Sequence, residues 1–171
     1  MAAATLARRL AVARVPAQVC SAGTSVDAPQ PAMHETLEAA GELWFDLGAH
    51  ESVRVDAATI AAADLVLTMT REHAREIIVM DPGARDRTFT FKEIVRRGEA
   101  APRGDEPLSA WLARLASRRG PQDLLGSSPL DDVADPVGLP LSAHRTTLVL
   151  LDDLADRFVR VAWPPAVARV G

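Results

Sequence analysis

Ala62-Ala63-Asp64-Leu65-Val66-Leu67-Thr68-Met69-Thr70-Arg71-Glu72-His73 is the stretch that decides the fold class. Leu65, Val66 and Leu67 form a short continuous apolar run, the pattern of a strand buried on both faces. Thr70 is placed to cap a helix beginning at Arg71, with Glu72 in the first turn, where the helix dipole favours an acid. Ile77, Ile78 and Met80 continue that helix until Asp81-Pro82-Gly83 stops it. Strand, cap, helix and stop make half of a βαβ unit.

Working outward toward the N-terminus, Asp56 to Ala63 reads as a short helix led by Val53 and Val55. Leu43-Trp44-Phe45 and Leu47 form an apolar patch before Gly48-Ala49-His50, and Pro31 to Gly41 reads as a helix with Met33, Leu37 and Ala40 on one face. Val15 to Ser21 has the pattern of a strand closed by a Ser21–Ser25 turn. Met1 to Gln18 carries Arg8, Arg9 and Arg14 and no acid, a composition shared with transit peptides. Leu6 and Leu10, continued by Val12 or Ala13, favour instead an amphipathic helix belonging to the domain.

Toward the C-terminus, Arg87 to Phe91 alternates as a strand and Lys92 to Arg97 as a helix. Gly98 to Pro107 reads as a linker, and Leu108 to Arg119 as an amphipathic helix carrying Trp111, Leu112 and Leu115. A Gly- and Pro-rich loop fills Gly120 to Pro140, and Leu141 to Trp163 is a long closing helix. The expected organisation is one domain over 1–163 and a tail over 164–171. Strands alternating with helices imply an α/β fold, three-layer αβα, with a parallel sheet.

Composition narrows the function classes. A chain of 171 residues, 48% hydrophobic and 25% charged, is long enough to bury one sizeable core. Its net charge of −4 and the lack of a basic stripe argue against nucleic acid as partner. No apolar run reaches membrane-spanning length, so no membrane partner is expected. The one cysteine, Cys20, excludes an internal disulfide and a Cys-based metal cage and fits a reducing cytoplasm. His34, His50, His73 and His144 lack metal-ligand spacing, and no phosphate-binding glycine loop, nucleophile elbow or zinc-helix motif occurs. No metal or cofactor is expected. Cys20 lies in an apolar stretch without the neighbours that lower a thiol pKa, and reads as a small core residue rather than a nucleophile.

Four segments in order carry a family resemblance: Val19-Cys20-Ser21-Ala22-Gly23-Thr24-Ser25, Gly48-Ala49-His50, Ala63 to His73, and Val133-Ala134-Asp135-Pro136. Together they resemble the low-molecular-weight protein-tyrosine phosphatases, in a form similar to the actinobacterial branch. The resemblance runs from Met1 to about Trp163. It implies a four-stranded parallel sheet and hydrolysis of phosphomonoesters through a cysteinyl-phosphate, on a phosphorylated protein or a small phosphomonoester substrate. A thiolate in a Cys-x5-Arg-Ser loop attacks phosphorus, and the Asp of an Asp-Pro loop protonates the leaving oxygen. On this match Asp135 is the general acid/base, while Ser21 and His50 support the phosphate loop. Without the resemblance, Asp135 before Pro136 is an ordinary turn former.

The chain departs from that pattern at the nucleophile. Met1-Ala2-Ala3-Ala4-Thr5-Leu6 resembles the start of the helix that follows the phosphate loop, so the first strand, the nucleophilic cysteine and its arginine are expected to precede residue 1. Cys20 matches a second-strand position and does not replace them. Asp27 and Val137 stand where aromatic walls usually flank phosphotyrosine. Three readings follow: a phosphatase whose start lies further upstream, a phosphatase-derived module without catalysis acting through protein contacts, and an arsenate-reductase relative. A single cysteine disfavours the third, because a thiol relay needs more.

Overall fold

A computed structural model describes residues 1–164. Two short strands, β1 (Val66–Thr68) and β2 (Thr88–Thr90), pair in parallel, with Val66 opposite Thr88, Leu67 opposite Phe89 and Thr68 opposite Thr90. Around them lie seven α-helices among the described residues: α1 (Ala2–Val12), α2 (His34–Glu42), α3 (Ala57–Ala62), α4 (Arg71–Met80), α5 (Phe91–Ala100), α6 (Leu108–Ala116) and α7 (Leu141–Ala162). No described helix is long and apolar enough to cross a membrane.

Alternation along β1 sorts its side chains into two layers. Leu67 and Phe89 join the main core with Leu10 of α1, Ile94 and Val95 of α5, Trp111, Leu112 and Leu115 of α6, and Leu151, Leu154 and Phe158 of α7. Val66 turns the other way, onto Ile60 of α3 and Ile77 of α4. The result is an αβα arrangement around a small parallel sheet. Thr70 caps α4 by accepting from His73 N–H at 3.2 Å, and Asp56 caps α3 through Thr59 N–H at 2.7 Å. Inside the main core Phe158 meets Phe91 and Trp163 edge to face.

Several expectations are corrected. Val15–Ser21 is not a strand: it joins no sheet, Val15 N–H turns back to Leu10 O at 2.9 Å, and Pro16 removes one of the donors a ladder needs. Cys20 consequently has no layer above it and is exposed, not a core residue. The next residues find partners instead, with Gly23 N–H donating to Val53 O at 2.8 Å and Val55 N–H to Gly23 O at 3.0 Å. On α2 the buried face is Thr36, Ala39 and Ala40, rotated from the expected Met33 and Leu37, which stay over a third exposed. Val12 of α1 is 75% exposed and does not continue the Leu10 face. Gly98 is no linker residue. It lies inside α5, where a Cβ would stand 2.8 Å from Val161 Cγ2 and 3.1 Å from Trp111 Cζ2. The tail expected over 164–171 lies, beyond residue 164, outside the described residues.

Candidate active site

The sequence points to Ser21, His50 and Asp135, and the structure sorts them into two places. Ser21, exposed, and His50, half-buried, line one groove of about 390 Å³ with Cys20, Asp46 and the first turns of α1. The 46–50 wall of that groove is anchored from below by Leu47, buried against Ala39, Ala40 and Leu148. The groove is mostly apolar and carries the Asp46 carboxylate, while the first N–H groups of α1 at its wall have no intrahelical acceptor.

Asp135 lies over a separate depression of about 360 Å³, lined also by Leu139, Ser142 and Thr146 at the start of α7. Its carboxylate accepts from Val137 N–H at 3.0 Å, a local turn that fixes the side chain against its own backbone. Pro136 is buried while Asp135 is exposed, so the dipeptide pins the loop and leaves the acid facing solvent. Ser21 and His50 are thus brought together; Asp135 does not share their groove.

Sequence reading missed the device that holds the Asp135 loop. Two pairs of cations at i, i+4 spacing, Arg71 and Arg75 on α4 and Lys92 and Arg96 on α5, all reach into residues 122–132. Arg71 donates to Asp131 Oδ2 from Nε at 2.9 Å and Nη2 at 2.6 Å, and from Nη1 to Leu125 O at 3.0 Å. Arg96 Nη2 donates to the other Asp131 oxygen at 2.8 Å. Arg75 Nη1 takes the carbonyls of Leu124 and Gly126, both at 2.8 Å. Lys92, the sole lysine, donates to Asp132 O at 2.6 Å and Pro129 O at 3.1 Å. Asp132 accepts from Arg71 N–H and Ser128 N–H, both at 2.8 Å, and Val133 N–H donates to Met69 O at 2.8 Å. Burial works to raise the Asp131 pKa, but the Arg96 and Arg71 guanidiniums outweigh it and hold the carboxyl below its usual range. The signal was present as two i, i+4 cation pairs and a lone lysine. What it lacked was any sign that both helices face the same loop.

The family described as low molecular weight phosphotyrosine protein phosphatase has a sequence model that matches residues 1–108. The chain belongs to that family. The match takes in Ser21, His50 and the β1–α4 stretch and ends before Asp135. Among solved structures, the fold is shared with the YwlE arginine phosphatase from Geobacillus stearothermophilus, at 26% identity and TM-score 0.66, covering 93% of this chain and 80% of that one. A YwlE mutant from Bacillus subtilis is 24% identical at TM-score 0.69, covering 93% and 86%. Vibrio vulnificus Wzb in complex with benzylphosphonate is 20% identical at TM-score 0.66, again covering 93% and 86%. Compared by sequence with curated proteins, the chain matches none. Cys20 is followed six positions on by Val26, so these 171 residues contain no Cys-x5-Arg.

Proposed function

We propose that the chain forms the body of a cytoplasmic phosphomonoester hydrolase of the phosphotyrosine-phosphatase class, in a form similar to the actinobacterial branch, acting on a phosphorylated protein or a small phosphomonoester. Catalysis in this reading uses a thiolate from a Cys-x5-Arg loop supplied outside residues 1–171. The loop docks at the α1 N-terminus, where Ser21 and His50 support it, and Asp135 serves as general acid and then general base. The family match over 1–108 carries the reading, and the cation-held loop beneath Asp135 supports its last part. The aromatic side chains expected beside phosphotyrosine are absent at Asp27 and Val137. A neighbour in fold is named an arginine phosphatase, so phosphoarginine and phosphotyrosine peptides both belong in the assay.

The second reading, a phosphatase-derived interaction module without catalysis, is favoured by the lack of Cys-x5-Arg. In-frame translation upstream of the Met1 codon separates the two. A hydrophobic strand followed by Cys-x5-Arg-Ser supports the enzyme, and a stop codon or unrelated residues support the module. The 171-residue chain itself hydrolyses p-nitrophenyl phosphate no faster than buffer, and turnover abolished by Cys20→Ser overturns the role assigned to the outside loop. In the extended chain Asp135→Asn lowers the rate on phenyl phosphate by about 10²–10⁴, the usual worth of a general acid. The deficit shrinks with p-nitrophenyl phosphate, whose leaving group departs without a proton. Equal deficits on the two substrates remove Asp135 from proton transfer.

A further inference from the structure

His144 lies one turn into α7 and has no exposed surface. Its Nδ1 sits 3.0 Å from Oγ1 of Thr36, itself buried on α2, and this contact joins the two helices. Its Nε2 is buried with no hydrogen-bond partner. One turn further along each helix, Ala39, Ala40 and Leu148 form an apolar cluster with Phe45 and Leu47. A neutral ring suits this place: Nδ1–H donates to Thr36 and Nε2 presents only a lone pair. A proton on Nε2 instead creates an N–H with no acceptor and a charge beside an apolar layer, both costly.

Ionisable groups on the elements around the ring offer no compensation. Segment 46–50 carries Asp46 and His50, and α1 carries Arg8, Arg9 and the Met1 amine. On α2 stand His34, Glu35, Glu38 and Glu42, and on α7 Arg145 and Asp152. Glu42 is engaged by Arg145, and Asp152 by Arg8 and Arg9. Among the described residues no carboxylate comes within 4.0 Å of the imidazole.

We propose that His144 is an acid-sensitive latch between α2 and α7. Protonation leaves an Nε2–H and a charge with no partner, which the ring can satisfy only by leaving its seat against Thr36; α2 then loosens, and the 43–50 segment that α2 leads into shifts with it. Phe45 and Leu47 of that segment pack in the same cluster, and His50 at its end lines the groove at the α1 N-terminus. The latch therefore couples acid at the α2–α7 seam to the groove.

The test uses the intact chain and needs no activity. Thermal melts at pH 7.5 and pH 5.5 bracket the ordinary histidine range near about 6.5. The wild type loses about 3 °C or more in Tm across that interval, the size expected for roughly one proton's linkage in a domain of this length. His144→Gln, which keeps an amide to meet Thr36 but cannot ionise, flattens the dependence, whereas His34→Gln on the exposed start of α2 leaves it intact. Equal pH slopes in wild type and His144→Gln overturn the latch. Should His144→Gln fail to fold, nuclear magnetic resonance of the wild type decides. Loss of the Thr36–His144 contact on acidification supports the proposal, and a ring that takes up a proton with that contact retained refutes it.

Discussion

Among the described residues, Trp44 carries two physical penalties at once. It is 92% exposed, and its φ of +60° places it in the left-handed region. The reason lies in how α2 ends: Phe45 N–H donates back to Ala40 O at 2.9 Å and Trp44 N–H to Gly41 O at 3.1 Å. That paired ending requires a left-handed residue between Leu43 and Phe45, a position normally given to glycine. Arg14, at φ 56°, ends α1 in the same way. Left-handed strain costs about 1–2 kcal/mol, and the added freedom of an unfolded glycine costs about 0.5–1 kcal/mol. Trp44→Gly therefore stabilises the chain by several tenths to about 1 kcal/mol, since the exposed ring gives up no packing; an unchanged or lower urea midpoint overturns this account. Asp131 works in the opposite sense. Its side chain is 2% exposed between Arg71 and Arg96, and Asp131→Asn leaves both cations short of a charge, at a cost of about 3 kcal/mol at pH 7. A carboxyl held below its usual pKa stabilises the fold above the unfolded value, near about 3.9, and loses that contribution as pH falls through its folded value. The gap between wild type and Asp131→Asn should thus close below about pH 4. A gap independent of pH would show that shape, not charge, holds the loop.

Elements were legible wherever their signals were local. Thr70 caps the helix its position announces, whereas Asp56, read as helical, and Thr90, read as part of a strand, turn out to be caps, the last by accepting from Glu93 N–H at 3.1 Å. The β1–α4 unit at 66–80 needed no tertiary knowledge. Val15–Ser21 failed because a strand is a pairing, and its own residues cannot reveal whether a partner is alongside. Gly98 failed for a related reason. Gly beside Pro, Arg and acids looks like a linker, yet here its missing side chain lets α5 lie against Trp111 of α6 and Val161 of α7. Ordinarily Ala in place of a helical Gly gains about 1 kcal/mol. At this contact a Cβ 2.8 Å from Val161 forces repacking, so Gly98→Val costs about 1–3 kcal/mol. If Gly98→Val melts with or above the wild type, α5 and α7 are not as closely packed as described. Glu93 of α5 also enters a buried ion pair, with Arg119 beyond the end of α6 donating to both of its carboxylate oxygens at 3.0 and 3.1 Å. Arg119 was read only as the end of a helix, because nothing local marks a side chain that turns back into the core.

Cohesion is unevenly spread across the molecule. Leu10, the β2–α5 stretch, α6 and α7 share one continuous cluster, and Arg8 and Arg9 lock α1 onto Asp152 of α7. Between Ala13 and Val55 only α2 is regular, and its hold rests on a smaller cluster, the Thr36–His144 contact and the exposed Arg145–Glu42 ion pair. The sheet has two strands of three residues each, too little to be stable without its helices. Among the described residues β1 has a sheet neighbour on one side only, and Val19 and Leu65 stay half-buried. Each buried polar group left without a partner costs about 1–3 kcal/mol, against a total stability of about 5–15 kcal/mol for a domain. These 171 residues alone should therefore melt below the usual mesophile range of about 45–65 °C. Hydrogen exchange should divide them in the same pattern, with α5, α6 and α7 slowest and residues 15–22 exchanging first. A monomer that melts cooperatively above that range, with uniform protection from α1 to α7, would mean that the open edge of β1 costs little. The two-stranded sheet would then be a finished structure, and the interaction-module reading would gain at the expense of the enzyme.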